Sequence, residues 1–373
     1  MMLTLFLILL LLNIFYGSLL NDFRKVWSKT FLKHPTIVAE NLLPEVSVII
    51  PFRNEVNNIE NLISQLSKLD YPTEKLSFIF VDDNSDDQSH LNFSSIKLKF
   101  PFTVLKSKGV GKKAALQTGV EHAQTNWIVT TDADIQCDAD WLKKLFSIDN
   151  LSDQVMICGV VMIHPSSKHK EFVYEFQKLE FSMLQAAGAA SLHLGNPLLN
   201  SGANLAFQKK YWEKIGGYKS HAHIASGDDT FLMLEFSKVF NSGVIPNPDA
   251  LIKTNPVDGW KSLYEQRVRW SGKTKYYKDP YIQLFGILIL FASLPLPFML
   301  FCVDDVEKLL IFLTTISIRF HFERQLLLQW NAKYSLKDNW FSTLKMSFFY
   351  PIFLISLVLI SPLKRISWKG RRM

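Results

Sequence analysis

From Val46 to Met162 the chain repeats one pattern. A short apolar, β-branched run stops at a polar break, and a stretch with apolar residues every three or four positions follows. Strand and helix in regular alternation leave few architectures open, and the one that suits them is an α/β sheet of nucleotide-binding type. The strands read as Val46–Pro51, Leu76–Val81, Phe102–Leu105, Trp127–Thr131 and Val155–Met162. Helical stretches lie between them. Asn57–Leu69 carries Ile59, Leu62, Ile63, Leu66 and Leu69 on one face; Lys112–Ala123 is opened by Gly109-Val110-Gly111; Ala139–Phe146 completes the set. Further on, Lys170–Ala190 is helical and Asn200–Asn204 breaks the pattern. A short strand to Phe207 and a helix ending at Gly216-Gly217 follow, then a polar turn at Ala225–Asp229 and an amphipathic helix at Thr230–Phe240.

Apolar runs bracket this region. Met2–Leu20 is about 19 residues long, enough to span a bilayer. No basic residue precedes it, which argues against a cleaved signal peptide, and Arg24, Lys25, Lys29 and Lys33 follow it. The excess of positive charge then places the N-terminus outside and the next domain in the cytoplasm. Leu284–Val303 is a second span, with Lys273, Lys275 and Lys278 before it and Asp304, Asp305 and Glu307 after it. Phe341–Leu363 is a third, ending in a basic tail. Leu309–Ile318 is apolar but short for a span, and its neighbours Arg319, Arg324 and Lys333 favour the inside, which conflicts with an inside tail if only three crossings exist. Trp260–Tyr277 mixes Trp260, Leu263, Tyr264, Val268 and Trp270 with Lys261, Arg267, Arg269 and Lys273, as expected of a helix lying at a membrane surface. The expected organisation is an anchor at 1–20, a cytoplasmic domain at 45–275 with an interfacial helix at 260–277, a membrane region at 283–363 with two or three hydrophobic segments, and a tail at 364–373. The net charge of +7 gathers beside the apolar segments, which favours membrane flanks over nucleic acid. Three cysteines (Cys137, Cys158 and Cys302) argue against a disulfide framework and fit a reducing compartment.

Four polar clusters fall at the ends of these elements: Asp82/Asp83 after the second strand, Asp132/Asp134 after the fourth, Asp228/Asp229 before a helix, and Gln266/Arg269/Trp270 on the interfacial helix. Singly each has a plain reading. Asp82–Asp87 suits a solvated turn, Ser-Gly-Asp-Asp an ordinary helix N-terminus, and Gln266-x-x-Arg269-Trp270 an interfacial anchor. Asp132-x-Asp134 says more, because a buried strand delivers it to the edge where open α/β sheets bind ligands. Two carboxylates there suit a divalent cation that carries phosphates. Together the clusters suggest transfer from a diphosphate-activated donor. Mg²⁺ or Mn²⁺ on few carboxylates, with Arg269 and Lys113, would offset the leaving group's charge, and Asp229 at a loop–helix junction would act as general base. Gly109-Val110-Gly111-Lys112 lacks the spacing of a phosphate loop, and His122, His193, His221 and His223 show no ligand spacing.

In order and spacing these motifs resemble the membrane-bound branch of the inverting, GT-A type family 2 glycosyltransferases with the D, D, D, QxxRW signature, which includes ceramide glucosyltransferase-like and polysaccharide synthase-like enzymes. The residues that carry the resemblance are Val46–Glu55, Phe80–Asp87, Gly111–Gly119, Thr131–Asp134, Asn200–Phe207, Ser226–Asp229 and Gln266–Trp270, within about residues 45 to 275. The resemblance implies a GT-A fold. It implies that Asp82 and Asp83 hold the donor nucleoside with Pro51 and Glu55 lining the pocket, and that Lys113 lies near the donor sugar or phosphates. Asp132 and Asp134 would bind metal and diphosphate, Asp229 with Asp228 would supply the base, and Gln266, Arg269 and Trp270 would close over diphosphate and acceptor. The sequence departs from the pattern at Arg53, where an aromatic or polar residue is usual, and at Asp228-Asp229, where Glu-Asp is usual. The implied activity is transfer of a sugar from a UDP-sugar to a lipid or lipid-linked acceptor by an integral protein of the cell or inner membrane. A processive polysaccharide synthase is the alternative within the family. A binding protein without turnover and a metal-dependent phosphohydrolase are the rivals outside it.

Overall fold

The computed structural model describes residues 2–32, 38–90, 93, 96–164, 171–221, 224 and 227–360, with two short strands at 367–368 and 371–372. Lys33, Lys170, His223, Ala225, Ser226 and most of the basic tail lie outside the described residues. The centre of the molecule is one mixed sheet. Its strands are β1 (Val46–Phe52), β2 (Leu76–Asp82), β3 (Phe102–Lys106), β4 (Trp127–Thr130), β5 (Ile135–Cys137), β6 (Met156–Ile163), β7 (Leu205–Gln208) and β8 (Val244–Thr254), in the order β3-β2-β1-β4-β7-β6-β8-β5. β3, β2, β1 and β4 run parallel, and β7 enters antiparallel between β4 and β6.

Every residue of β1 is buried, because helices cover both faces of the sheet. On one face Val48 and Ile50 pack with Leu62 and Leu66 of α2 (Ile59–Leu66) and with Trp141 and Leu145 of α4 (Trp141–Phe146). On the other, Ile49 and Val81 pack with Leu116 and Val120 of α3 (Lys112–His122) and with Leu232 and Phe236 of α7 (Thr230–Phe240). α5 (Phe172–His193) lies along β6 and β8, α6 (Lys209–Lys214) follows β7, and α8 (Gly259–Ser271) follows β8.

Two strands escape a periodicity reading. β5 has only three residues. β8 has eleven, but Pro246, Asn247, Pro248 and Asp249 interrupt it, and residues that cannot donate or that favour turns hide a strand. β8 tolerates them through a register shift opposite Cys158/Val160 of β6, and Asn247 donates to the carbonyls of Lys144 and Leu145 at the end of α4.

Among the described residues, three helices are long and apolar enough to cross a membrane: Met2–Phe31, Pro280–Phe301 and Trp340–Ile360. The first comprises α1 (Met2–Val26) and a wider turn, Trp27–Phe31. The second is broken near Pro295 into α9 (Pro280–Ser293) and α10 (Leu296–Phe301), and the third is α12 (Trp340–Ile360). The short apolar stretch Leu309–Ile318 belongs to a 28-residue helix, α11 (Val306–Lys333), which packs along α1. At one end Phe6 and Leu9 meet Leu296, Phe312 and Ile316. At the other the tilted rings of Trp27 and Trp330 lie 5.4 Å apart, Lys333 pairs with Asp249, and the Tyr334 hydroxyl donates to the Pro248 carbonyl at 2.8 Å. α9 and α10 therefore lead away from the sheet and α11 returns to it. Arg319, Glu323 and Arg324 hide this helix from hydropathy: the first two are buried and paired at 3.0 Å, with Tyr16 and Ser347 on Glu323.

Candidate active site

The parallel strands β1, β2 and β4 end along one edge of the sheet, and the acidic clusters lie there. Asp82 is the last residue of β2. One of its carboxylate oxygens accepts from the backbone N–H and the hydroxyl of Ser85, so it shapes the 82–85 turn. Asp83 is 1% exposed; its N–H donates to the Phe52 carbonyl and its carboxylate accepts from the Gly111 N–H at 2.8 Å. Gly111 has a φ of +96°, which suits glycine and directs that N–H to Asp83 at the head of α3. Arg53, buried at 5% exposure, donates to the carbonyls of Asp83 and Asn84 and pairs with Asp86 at 2.6 Å. It braces the 82–86 loop from inside. Pro51 is buried in β1, and Glu55 is buried in the following loop with Asn58 on its carboxylate.

Past Thr130 the chain leaves β4 for the loop that carries Asp132 and Asp134, both half-buried. Lys112, at the start of α3, reaches this loop: its ammonium is 2.6 Å from Asp132 and 3.6 Å from Asp228. Burial alone would lower the Lys112 pKa, but Asp132, Asp228 and Asp229 outweigh it and hold the ammonium above the usual lysine range. Lys113, the neighbour expected near the donor, donates to the carbonyls of His221 and Ile224, both at 2.7 Å; burial lowers its pKa to about 8 against the opposing charges of Asp228 and Asp229.

Asp229 precedes α7. Its carboxylate accepts from Thr230 N–H at 2.6 Å and from Gly202 N–H at 3.2 Å, with the Lys273 ammonium 3.6 Å away. Burial would raise its pKa; Lys273, these two N–H groups and Lys112 together lower it below the usual aspartate value. Gly202 is held by Thr130 of β4, whose hydroxyl donates to its carbonyl. A Cβ on Gly202 would stand 3.2 Å from both Asp228 Oδ2 and Asp229 Cβ, so the glycine lets the two loops meet. From α8, Arg269 feels the charges of Asp228, Asp132 and Asp229, while burial lowers its pKa. Trp270 packs at the edge of the sheet core, its ring 6.0 Å from that of Phe181. Asp132, Asp228, Asp229, Lys112, Lys273 and Arg269 thus form one compact field of alternating charge.

The description "Glycosyl transferase family 2" matches residues 47–216. These residues are similar to family 2 glycosyltransferase domains. A probable glycosyltransferase of Bacillus subtilis is 26% identical over 257 residues, which cover 66% of this chain and 60% of that protein. A poly-β-1,6-N-acetyl-D-glucosamine synthase of Staphylococcus epidermidis is 24% identical over 68% of this chain and 60% of its own length. The matched part therefore spans about three fifths of these relatives. A mannosyltransferase of Pyrobaculum calidifontis, solved with GDP-mannose and Mn²⁺, shares the GT-A fold with a TM-score of 0.59 at 18% identity, over 97% of this chain and 99% of that one.

The matched stretch contains Pro51, Glu55, Asp82, Asp83, Lys113, Asp132 and Asp134. Asp228, Asp229 and the α8 residues reach the same place from beyond it. Among the described residues no three His, Cys, Asp or Glu side chains converge into a metal cage. The oxygens of Asp132 and Asp134 nevertheless suit a hard cation that takes most of its ligands from phosphate. Sequence reasoning missed Lys112 and Lys273. The Gly-Lys-Lys run was in view, but only the winding of α3 shows which lysine faces the carboxylates.

Proposed function

We propose that this protein is a membrane-anchored, metal-dependent, inverting glycosyltransferase whose donor is a nucleotide sugar. The observation that carries the reading is the meeting of Asp132, Asp228 and Asp229 with Lys112, Lys273 and Arg269 at the ligand edge of the sheet. Asp83, Pro51 and Glu55, at the same edge of the sheet, would line the nucleoside site. A Mg²⁺ or Mn²⁺ ion held by Asp132 and Asp134 would supply Lewis-acid stabilisation of the diphosphate. Lys112 and Arg269 face the departing charge. Asp229 takes the proton of the acceptor hydroxyl, which attacks the anomeric carbon from the side opposite the diphosphate and inverts it. The low pKa of Asp229 keeps it ionised, and the hydroxyl becomes acidic enough to yield its proton as the new bond forms.

The acceptor we favour is a lipid or lipid-linked molecule, since α8 carries Trp260 next to Phe349 of α12, one of the apolar helices. The relative that makes poly-N-acetylglucosamine supports the other reading, a polysaccharide synthase. The preferred donor is a UDP-sugar; the GDP-mannose of the structural neighbour makes that donor part of the test. In the proposed topology the N-terminus is outside and the catalytic domain cytoplasmic. Purified protein with Mn²⁺, given UDP-glucose, UDP-N-acetylglucosamine or GDP-mannose, is expected to release nucleoside diphosphate faster when membrane lipid extract is added. Absence of turnover with all three donors defeats the proposal. A water-insoluble polymer as the only product selects the synthase.

A further inference from the structure

Arg267 lies between Gln266 and the Arg269-Trp270 pair, and it is 4% exposed. Its guanidinium forms a two-pronged pair with Glu180 of α5, Nε at 2.9 Å and Nη2 at 2.5 Å, and Glu180 is itself 6% exposed. Nη1 donates to the Gln266 side-chain oxygen. The guanidinium carbon stands 4.2 Å from the centroid of the Trp270 ring. One planar group therefore touches both neighbours on α8 and a fixed carboxylate beneath them. That carboxylate is well anchored. Gln177, a turn earlier on α5, exchanges two hydrogen bonds with the backbone of Val257 just before α8, and the Trp27 indole donates to the Ala186 carbonyl further along. Tyr350 of α12 is near enough to feel both Glu180 and Arg267, so the pair sits where α5, α8 and the apolar helices meet.

We infer that Arg267 is a positioning residue: with Glu180 as its counter-ion, it sets the side chains of Gln266 and Trp270 for the acceptor side of the reaction. The inference rests on the glycosyltransferase reading above for what those two residues do. Its physical basis is geometry that a lysine does not reproduce. A point charge on a flexible stem satisfies Glu180 but does not at the same time stack on Trp270 and donate to Gln266.

The test uses the full chain in detergent, labelled with 5-fluorotryptophan, as wild type, Arg267→Lys, Glu180→Gln, Trp270→Phe and the Arg267→Lys/Trp270→Phe double variant. The Trp270 ¹⁹F resonance is the one lost in Trp270→Phe. It is expected to shift in Arg267→Lys and Glu180→Gln while the other eight of the nine tryptophan signals hold, an outcome that general unfolding does not produce. With Mn²⁺, the three donors and lipid extract, Arg267→Lys is expected to lower kcat/KM for the acceptor by about 10- to 100-fold at an unchanged donor KM. Because Arg267 acts partly through Trp270, the double variant should be slowed by less than the product of the two single effects. An unmoved Trp270 resonance, or a double variant slowed by the product of the two single effects, overturns the inference. A wild-type chain that transfers from none of the donors overturns the glycosyltransferase reading instead, and the fluorine spectrum still judges the packing of Arg267.

Discussion

Asp229 has more than one task at the residue scale. It caps α7, receives the Gly202 N–H and faces Lys273, and these contacts hold its pKa low. A carboxylate with a depressed pKa stabilises the fold above the pKa it has in the unfolded chain, about 3.9, and that stabilisation is lost as pH falls through the folded value. The pH–rate profile should therefore show no acid limb between about pH 5 and 7. A limb near pH 6 would exclude Asp229, as it stands in this structure, from the base role. Asp229→Asn is expected to lower kcat by about 10²-fold or more, the usual contribution of a positioned base, while donor binding persists. Equal activity in the two proteins would sink the mechanism. Arg53 illustrates the limit of motif reading at this scale. The family pattern marks it only as a departure, whereas the fold shows it bracing the loop that carries Asp83.

For the elements, the placement of α3 matters most, since it carries Lys112 and Gly111. Gly119 lets this helix approach the sheet: a Cβ there would stand 2.5 Å from Ile49 Cγ2 and 3.3 Å from Val81 Cγ2. Gly119→Ala should cost about 1–3 kcal/mol of stability through overpacking, despite the better helix propensity of alanine. A thermal melt in detergent checks the sign, and a stabilised variant would show that α3 shifts freely. Most elements were legible in the sequence because their burial is periodic. β1, β2, β4 and α7 match expectation to within a residue or two, and β8 did not declare itself because its prolines are accommodated by a bulge.

For the whole molecule, the helices outside the sheet form a bundle in which α1 and α11 run the same way, with α9 and α10 returning between their ends. At 28 residues α11 is about 42 Å long, more than the thickness of a hydrocarbon core. We predict that it crosses the membrane with Arg319 and Glu323 shielded by its neighbours. In a cysteine-free background, Asp304→Cys and Lys337→Cys should react with an impermeant maleimide from opposite faces of oriented vesicles. Labelling from the same face would show that α11 does not cross. A crossing here would put Arg324 and Lys333, toward the end of α11 nearest the sheet, on the cytoplasmic side that their charge favours; a further crossing by α12 would then leave the basic tail outside.

The sequence by itself determined the α/β alternation, the apolar helices at both ends and the acidic clusters at strand ends. Each of these is local: a period of two or 3.6, a run of apolar residues, or a polar stop after a strand. Tertiary structure alone decided which charges meet. Asp132 and Lys112 are 20 positions apart, Asp229 and Gly202 are 27 apart, and Glu180 and Arg267 are 87 apart. Only the sheet order that inserts β7 beside β4, and the packing of α8 on α5, close those distances. The same reason explains α11. An ion pair inside an apolar bundle is tolerable when other helices surround it, and those neighbours are invisible to any window along the chain.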